Sequence, residues 1–558
     1  MSLALLAGVF LVVLALGYRF YGGLIARRYQ LDPGVKTPAV RLEDGRDFVP
    51  TRPFYLMGQH FSAIAAAGPI AGPILACQQF GWGPCVLWIG FGVIFIGAVH
   101  DFSALVASVR HDARSIAEVV RVHLGRNSWL AIMSFIWLAL IYVIIAFVDL
   151  TAGAFTSKPG PATSPDFNPG GAVALAGTTY IGLAVVMGLV DKFLRPPLWL
   201  QTIIFVPATL VLVWLGTHMS QVLLFSWTTW VVLILIYCFV ASLVPMWALL
   251  QPRGYLGGFV LYMALAVGVA GIFFGGFEVK QPAFTGFQSS ATGAPVGYLF
   301  PFLFVTIACG ACSGFHGLVC TGTTSKQIAT ETDCKPIGYG AMLLEGFVAI
   351  IALGTIMIAS KSEIAGLKPD AVYSLGLGRF LTSLIGEQHA AFATTFAAMA
   401  LSTFIFDTID VGTRLGRYIL QELFHWEGRV AAAVTTGITV GLPLVVLLGT
   451  GSGSFRTFWT LFGSSNQLLA GLTLLAVTVW LRRSGRRAWY TLLPTVFILL
   501  ITLVALVLQT YDYFRQGGTL GIINGVVAVV LMALAVQLII NGVRALRETG
   551  LPAARAVE

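Results

Sequence analysis

This chain contains the stretch Phe302-Leu-Phe-Val-Thr-Ile-Ala-Cys-Gly-Ala-Cys-Ser-Gly-Phe-His-Gly-Leu-Val-Cys-Thr-Gly-Thr-Thr324, which is long enough to cross a membrane but is interrupted in its second half by glycines, hydroxyl groups and one histidine. In hydrocarbon every peptide group must be paired inside the protein, so a span that loses helical regularity is tolerated only where it is buried or lines a cavity. Secondary transporters build their binding sites from such spans. The stretch therefore indicates more than a membrane anchor.

The composition around that stretch is typical of a membrane protein. Of the 558 residues, 57% are hydrophobic and only 10% are charged, so a water-soluble core of this size cannot bury the apolar surface. Windows of about 20 apolar residues, the length that crosses roughly 30 Å of hydrocarbon, predict an all-α polytopic membrane protein with about 15 transmembrane helices. The predicted spans are 2–18, 55–78, 83–108, 128–150, 171–190, 197–217, 227–250, 255–276, 298–321, 337–360, 389–408, 430–449, 457–481, 489–509 and 521–543.

The distribution of basic residues predicts the orientation, because loops rich in Lys and Arg stay in the cytoplasm. With the N-terminus outside, the cytoplasmic connections and the C-terminal tail carry 26 of the 33 Lys and Arg residues, and the opposite face carries 7. One of these connections is 251–254, which contains Arg253. The net charge of +9 is then a topology signal, and the partner that it implies is anionic membrane lipid, with no nucleic acid.

A second interrupted span lies near the start of the chain, at Gly58-Gln-His-Phe-Ser-Ala-Ile-Ala-Ala-Ala-Gly-Pro-Ile-Ala-Gly-Pro73. Pro69 and Pro73 each remove a backbone donor, while Gly68 and Gly72 lower the cost of a break. The pattern predicts free carbonyls and the start of a half-helix near mid-membrane. The alternative is a kinked helix that uses small residues for close packing.

The two interrupted spans form a pair. Seven span steps separate 55–78 from 298–321, and an odd number of steps makes the two broken helices antiparallel. Inverted repeats with one discontinuous helix in each half are the pattern of LeuT-type transporters. We therefore predict a single transporter domain over 1–558, with repeats that begin near 55 and near 298, and with 1–24 and the last spans at the periphery.

Glu345 lies deep within a predicted span. It is about nine residues into 337–360, roughly 13 Å along a helix. Desolvation at that depth disfavours the charged carboxylate, which suits a group that binds a proton on one side and releases it on the other. The alternative is a Glu that stays neutral or hydrogen-bonded to a neighbouring span. We assign Glu345, His316 and Asp101 to proton coupling. Asp101 lies near the cytoplasmic end of its span, where an ion pair with Arg110 is an equal alternative.

The polar residues at the breaks are candidates for substrate binding. His60 and His316 lie at the two broken spans and are of the residue type that can titrate near physiological pH, although for either one alone a satisfied core histidine is the more common explanation. Hydroxyl groups there can bind substrate oxygens or bond back to helical carbonyls. The predicted substrate-binding residues are His60, Ser62, Gly68, Ser313, Gly314, His316, Thr323, Thr324, Asn466 and Gln467.

A charged segment follows the eleventh predicted span. Asp407, Asp410, Arg414 and Arg417 are spaced by three and four residues, which permits ion pairs along one helix. We interpret Asp407, Asp410 and Arg414 as a gate on the cytoplasmic face. A plain salt bridge at a helix end is the alternative.

Four blocks of sequence match a known family. Two of them have sequences that are distinctive of the family, namely Ala308-Cys-Gly-Ala-Cys-Ser-Gly-Phe-His-Gly317 and Leu461-Phe-Gly-Ser-Ser-Asn-Gln-Leu-Leu469. With these blocks the chain resembles the carbon starvation protein A family. Members commonly have Gly-His-His-Phe at the first break, whereas this chain has Gln59 before His60. The four blocks are 58–73 with 97–102, 308–317 with 322–324 and 336–342, 410–422, and 461–469.

The resemblance implies a relative of the LeuT-type transporters in a bacterial inner membrane. It implies uptake of pyruvate or short peptides, driven by the proton gradient, during carbon starvation. The implied partner is a small-molecule substrate, and neither a cofactor nor a resident metal is predicted. Sodium is the alternative coupling ion, because carbonyls freed by a broken helix can bind it.

Other classes of function fit the sequence less well. A passive channel does not need paired broken spans. The sequence has no His-Glu-x-x-His, Gly-x-Ser-x-Gly or phosphate-binding loop, which disfavours both an enzyme and an ATP-driven pump. A carrier of transition metals or another small solute is the remaining alternative, since soft ligands suit such metal ions. The residues that would bind the metal are His60, Cys309, Cys312, His316 and Cys320.

Overall fold

The computed structural model describes residues 1–45, 47–156, 166–289, 297–452 and 455–548. Three of the basic residues counted above, Arg46, Lys158 and Arg555, lie outside these ranges. Within the described ranges the chain is helical, and strand-like pairing is limited to isolated bridges such as Thr51 with Ile328. The prediction of an all-α multi-pass membrane protein is confirmed.

Ten helices of the first half matter here. They are α1 (Leu3–Tyr29), α2 (Pro53–Ile64), α3 (Gly68–Phe80), α4 (Trp82–Val109), α5 (Ile116–Leu124), α6 (Arg126–Phe155), α7 (Pro169–Leu194), α8 (Leu198–His218), α9 (Trp227–Leu243) and α10 (Leu250–Phe274).

Nine helices of the second half complete the bundle. They are α11 (Leu299–Thr306), α12 (Gly314–Gly322), α13 (Glu331–Met357), α14 (Pro369–Ile385), α15 (Glu387–Phe424), α16 (Arg429–Thr450), α17 (Phe455–Arg483), α18 (Trp489–Gln516) and α19 (Gly518–Arg547).

The number of helices that qualify as membrane spans is smaller than the sequence predicts. Among the described residues, 12 helices are long and apolar enough to cross a membrane, or up to 13 if α2 and α3, which meet at a bend of 46°, count as one span. The predicted span 227–250 is represented by the 17-residue α9, which ends before Pro245. The predicted span 298–321 is divided into the short helices α11 and α12.

Arg253 is not in a loop, contrary to the topology count. The predicted connection 251–254 lies within α10, and the Arg253 side chain is completely buried. The connection between α9 and α10 lies earlier, around a short 3-10 turn at Met246–Ala248. One of the basic residues counted as cytoplasmic is therefore a core residue.

The core and the periphery of the bundle differ strongly in burial. The most apolar window of α17 is buried along its entire length, and those of α6 and α13 are mostly buried. In the corresponding windows of α1, α8, α16 and α19 a third of the residues or fewer are buried, as expected for helices that face lipid. Helix α17 is therefore a central element, in contact with α6, α11 and α12.

A short helix, α5, lies between α4 and α6 along the chain. Ser115 caps it by accepting a hydrogen bond from the Glu118 amide at 3.4 Å. One end of α5 carries His123, whose Nε2 lies 2.9 Å from Nε2 of His111. His111 Nδ1 donates to the Ala107 carbonyl at 2.6 Å, so His111 Nε2 is the acceptor and His123 Nε2 the donor. Both imidazoles are then neutral, because a second proton would place two N–H groups face to face.

Protonation of this histidine pair is disfavoured in the folded protein. Burial, with repulsion from His111 and Arg483, lowers the pKa of His123 from 6.5 to about 4, and burial also lowers the pKa of His111. The unfolded chain therefore binds more protons than the folded one as the pH falls from about 6.5 towards 4, and stability is lost across that window.

We expect His123→Gln to lose less thermal stability than the unmodified protein when purified samples in detergent are moved from pH 7.5 to pH 5. Gln cannot take up the proton that opposes folding. The exposed His218 provides a matched His218→Gln control, which should follow the unmodified protein. Equal losses in all three proteins would contradict the neutral pair.

Candidate functional site

The two broken helices touch each other at their breaks. Helix α2 ends at Ile64 and α3 begins at Gly68, while the second break extends from the end of α11 to the start of α12. A Cβ added to Gly68 would overlap the sulfur of Cys309, and one added to Gly72 would lie 2.5 Å from the Thr306 carbonyl oxygen. Glycine at both positions is what allows the backbones to approach this closely.

The first break lies slightly earlier than its sequence pattern suggests. Pro69 occupies the first turn of α3, where its missing N–H would have no helical partner in any case. Pro73 lies inside α3. The interruption therefore falls on the three residues before Gly68, and the prolines belong to the half-helix that follows it.

Helix α17 holds both edges of the second break through two consecutive side chains. The Asn466 Oδ1 accepts a hydrogen bond from the Phe315 amide at 2.9 Å, and its Nδ2 donates to Ser313 Oγ at 3.0 Å. The Gln467 Nε2 donates to the Phe304 carbonyl at 3.3 Å. These side chains satisfy backbone groups that the loss of helix leaves without intrahelical partners.

Two glycines permit α17 to lie this close. A Cβ on Gly463 would overlap the Val305 carbonyl, and one on Gly314 would overlap the Asn466 carbonyl. Both contacts are with backbone atoms, which cannot swing aside as a side chain can. Any larger residue at either position would push α17 away from the break.

Two π-helical turns flank the same segment. They are Val93–Gly97 in α4 and Lys335–Gly340 in α13, and the Tyr339 hydroxyl joins them by donating to the Ile94 carbonyl at 2.8 Å. A Cβ on Gly97 would overlap the Ala311 carbonyl within the break. Such turns often occur at functional sites, because they shift a helix locally without ending it.

Four ionisable side chains form a chain beside the second break. His100 Nδ1 lies 2.7 Å from Asp101 Oδ1, and His316 Nδ1 lies 2.8 Å from Asp101 Oδ2. The other ring nitrogen of His316 lies 3.1 Å from Glu345 Oε2. All four are buried. The structure thus brings together Glu345, His316 and Asp101, the residues predicted for proton coupling, and adds His100.

The position of His316 between two carboxylates constrains the protons of this cluster. An imidazole donates from both nitrogens only when it is charged. If His316 is neutral, one of its nitrogens can pair with a carboxyl group only when that group is protonated. The chain Asp101–His316–Glu345 therefore accommodates an exchangeable proton, held either on the ring or on a carboxyl group.

The two residues at the ends of this row of ionisable side chains, His100 and Glu345, can each form further hydrogen bonds. Among the described residues, His100 Nε2 and both oxygens of Glu345 have no hydrogen-bond partner of regular geometry, and the Glu345–His316 contact is an ion pair by distance only. The alternative pairing of Asp101 with Arg110 is wrong, because Arg110 pairs with Glu331, with Nε 2.6 Å from Oε1.

His60 lies outside the ionisable chain. Its Nδ1 is 2.9 Å from Thr324 Oγ1, and its Nε2 is 4.0 Å from the Cys320 sulfur, so it joins α2 to the end of α12. Ser62 is half-buried and faces Gly258 of α10. The exposed Thr323 bonds back to the Val319 carbonyl at 3.1 Å, one of the two uses expected for such hydroxyls.

The predicted gate residues on α15 have partners on other helices. Arg253 of α10 donates from Nε to Asp407 Oδ1 at 3.1 Å and forms an ion pair with Asp410. The Tyr237 hydroxyl also donates to Asp410, at 2.7 Å. The Asp407 side chain is 27% exposed while those of Arg253 and Asp410 are buried, so one end of this cluster is open.

The two arginines of α15 bind the end of α9. Arg414 donates to the carbonyls of Ala241 and Val244 at 2.7 and 2.9 Å, and Arg417 donates to that of Ser242 at 2.6 Å. Cations at a helix C-terminus satisfy its last carbonyls and complement its dipole. The ion pairs within α15 that the spacing allows are replaced by these contacts.

Two buried residues were missed or discounted in the sequence. Arg253 lies in Gln251-Pro-Arg-Gly254, which is typical of a loop. Asp149, which is not among the predicted site residues, is fully buried and accepts a hydrogen bond from Trp227 Nε1 at 2.9 Å. Asp149 sits in a long apolar run, which is the signal that could have identified it.

The cysteines and histidines of the metal-carrier alternative do not assemble in the described part of the chain. His60 approaches Cys320, whereas Cys309 contacts Asn466 and His316 contacts carboxylates. No group of three His, Cys, Asp or Glu side chains suited to a metal ion occurs among the described residues.

The chain matches one protein family along most of its length. The family profile described as carbon starvation protein CstA matches residues 2–372 and 359–505. The peptide transporter CstA of Escherichia coli K12 is 33% identical over 586 residues, which cover 91% of this chain and 81% of that protein. The pyruvate/proton symporter BtsT of the same strain is 32% identical, covering 90% of this chain and 80% of that protein.

A relative from a second bacterium matches over nearly the full length of both chains. The peptide transporter CstA of Bacillus subtilis 168 is 30% identical and covers 95% of each chain. Among solved structures, the manganese transporter of Eremococcus coleocola covers 90% of this chain and 99% of its own, at 14% identity and a TM-score of 0.41. A likeness at that score carries no argument about fold or substrate.

Asn466→Ala should destabilise the protein more than other asparagine truncations. The substitution leaves the Phe315 amide without its partner and leaves Ser313 only the long contact to the Cys309 sulfur at 3.9 Å, and an unsatisfied buried group costs about 1–3 kcal/mol. Thermal unfolding in detergent measures the loss. Asn541, which makes a single hydrogen bond to Ser128 at 3.0 Å, provides the Asn541→Ala control. An equal loss in both variants would show that Asn466 does not hold the break.

Proposed function

The chain belongs to the carbon starvation protein CstA family, and we propose that it is a secondary active transporter that takes up pyruvate or short peptides by proton symport. The observation that carries the proposal is His316, held between Asp101 and Glu345 at the start of α12. The relatives named peptide transporter and pyruvate/proton symporter support the substrate classes. The proposed location is a bacterial inner membrane, with the N-terminus outside and the C-terminus in the cytoplasm.

Proton coupling is supported by the composition of the buried cluster. A proton on Glu345 or on His316 changes the charge of a site that has no bulk solvent to compensate it, so loading the site alters the attraction between α12, α4 and α13. Helix α12 is half of a broken span. Its position is therefore linked to the protonation of the residues that it carries and faces. Sodium remains the alternative coupling ion and is a separate arm of the experiment below.

Substrate is proposed to bind where the two breaks meet. The N-terminal ends of α3 and α12 both begin there, and the amides and dipole of a helix N-terminus favour an anionic group such as a carboxylate. Ser313 and Gly314 form the start of α12, and Gly68 forms the start of α3. Pyruvate and peptides each present a carboxylate, the kind of group that a helix N-terminus binds.

The finer architecture is also a proposal. If α9 and the pairs α2–α3 and α11–α12 each cross the membrane once, the chain has about 15 crossings, and its two broken spans run antiparallel as in LeuT-type inverted repeats. The direct contact between the two breaks supports this arrangement within one transport domain. The peripheral position of α1 and α19 is consistent with helices added outside the repeats.

The cluster of Arg253, Asp407 and Asp410 is proposed as a gate on the cytoplasmic side. It ties α10 to α15, and Arg414 ties α15 to the end of α9. Because Asp407 is partly exposed, water or substrate can reach this end of the cluster. Opening then requires separation of one carboxylate from Arg253.

We expect accumulation of labelled pyruvate or dipeptide in proteoliposomes with an imposed proton gradient, and loss of at least about tenfold of the initial rate in Glu345→Gln and His316→Ala. Both variants remove the pairing of His316 with Glu345, one of the contacts through which the cluster can hold an exchangeable proton. The exposed residues Glu427 and His389 provide matched controls as Glu427→Gln and His389→Ala, which should transport normally.

The same vesicles distinguish the alternatives. Accumulation driven by a sodium gradient but not by a proton gradient would show that sodium is the coupling ion. If neither pyruvate nor the dipeptide accumulates and Mn²⁺ is taken up instead, the substrate is a metal ion. Full activity of both cluster variants would refute proton coupling at this site.

Arg253→Met should be among the most destabilising single substitutions in the chain. It leaves two carboxylates near each other without their cation, and loss of one partner of a buried pair costs roughly 3–5 kcal/mol. Adding Asp407→Asn and Asp410→Asn should restore much of the stability, and the triple variant should leak substrate without a gradient if the cluster is a gate. Arg379→Met, which removes an exposed pair with Glu363, should cost about 0–1 kcal/mol. Normal coupled transport by the triple variant would exclude a gate.

A further inference from the structure

A cavity lined mainly by arginines lies at the turn between α17 and α18. Its volume is about 270 Å³, and its walls are Arg482, Gly485, Arg486 and Arg487. Gly485 adopts a φ of +71°, which turns the chain so that the arginines before and after it converge. A cavity of this size accommodates a phosphate group with its first substituents.

Neighbouring acidic side chains offset only part of the positive charge around this cavity, since Arg483 pairs with Glu548 at 3.8 Å and Glu331 acts electrostatically on Arg486. Arg486 donates to the Tyr29 carbonyl at 2.5 Å, a contact that leaves its charge in place. Within the described part of the chain, no acidic side chain pairs with Arg482 or Arg487. The arginines therefore attract an anion that the protein itself does not provide.

Only one arginine of the cavity lies where a helix C-terminus would favour a cation. Arg482 lies in the last turn of α17, where a cation complements the helix dipole. Arg486 and Arg487 lie beyond that helix and directly before α18, whose first turn has no acidic residue and whose cap, Ala488, offers no side-chain acceptor. The positive end of the α18 dipole thus adds to the arginines.

The surroundings of the cavity match the surface of a bilayer. The turn joins two apolar helices and belongs to the predicted cytoplasmic face. Trp489, at the start of α18, is 40% exposed, as expected for an indole at the membrane interface. Basic pockets between membrane helices on this face bind the headgroups of anionic lipids.

We propose that this arginine pocket binds the phosphate of an anionic phospholipid headgroup. Arg482 and Arg487 hold the phosphate, and Arg486 remains on the Tyr29 carbonyl. The pocket contains none of the residues assigned to substrate, proton or gate, so lipid binding there can be measured separately from transport.

The pocket is connected to the second broken helix through two routes. One route is α17 itself, an unbroken helix from Phe455 to Arg483 that carries the break-holding Asn466. The other is the Tyr29 carbonyl, which accepts from both Arg486 and Arg110, the partner of Glu331 beyond α12. A bound headgroup therefore fixes the inner end of the helix that organises the break.

The test compares lipid binding by the unmodified protein and by Arg482→Gln/Arg487→Gln. Native mass spectrometry counts retained lipids, and thermal unfolding in detergent is titrated with phosphatidylglycerol, phosphatidylcholine or inorganic phosphate. Each arginine near a charged surface contributes about fivefold to affinity, so the double variant should bind phosphatidylglycerol about 25-fold more weakly and lose one retained lipid. Arg429→Gln/Arg544→Gln removes the same charge elsewhere on the predicted cytoplasmic face and should bind as the unmodified protein does.

Each outcome decides one point. Stabilisation by phosphatidylglycerol that disappears only in the pocket variant supports the proposal. Equal stabilisation by inorganic phosphate would identify a free phosphate as the ligand in place of a lipid. Unchanged phosphatidylglycerol binding in the pocket variant, or equal binding of phosphatidylcholine, would overturn it. A fully folded pocket variant, checked by its unfolding temperature without lipid, excludes misfolding as the cause.

Discussion

The structure depends on the pairing of backbone groups that are freed where α11 gives way to α12. Hydrocarbon offers no water to satisfy them, so a break in a membrane helix exists only if the protein provides partners. Asn466 and Gln467 provide them from adjacent positions on α17, one for each edge of the break. Glycines at 463 and 314 let the backbones approach closely enough for these short side chains to reach.

The need to cover this break with protein also brings ionisable side chains together beside it. A break that must be covered on all sides draws α3, α4, α13 and α17 around it, and small residues such as Gly68 and Gly97 are needed at each crossing. His316 lies in the first turn after the break and is thereby brought against Asp101 of α4 and Glu345 of α13. An ionisable chain that would be costly elsewhere in a membrane is supported here because each member has a charged or polar neighbour.

The ion-pair cluster of Arg253, Asp407 and Asp410 places buried polar groups between intact helices, without a break in either helix. Arg253, Asp407 and Asp410 are charges that meet between intact helices, and the cost of burying them is offset by mutual pairing and by Tyr237. Arg414 and Arg417 cover the carbonyls at the end of α9, a helix too short to count as a full span. Charged side chains thus provide hydrogen-bond partners for the backbone carbonyls at a helix end, which have none within the helix.

Residue order alone determined the class of the protein and the approximate positions of most helices and of the two breaks, although it placed 251–254 in a loop that the structure includes in α10. Apolar runs, glycine and proline clusters and isolated carboxylates such as Glu345 are local signals, and hydrocarbon makes each of them costly to misplace. Only the tertiary structure decided the partners. Arg253 looked like a loop residue beside Pro252, and Asn466 looked like a substrate ligand. Their roles depend on helices more than 150 positions away in the chain, and no local pattern records such a distance.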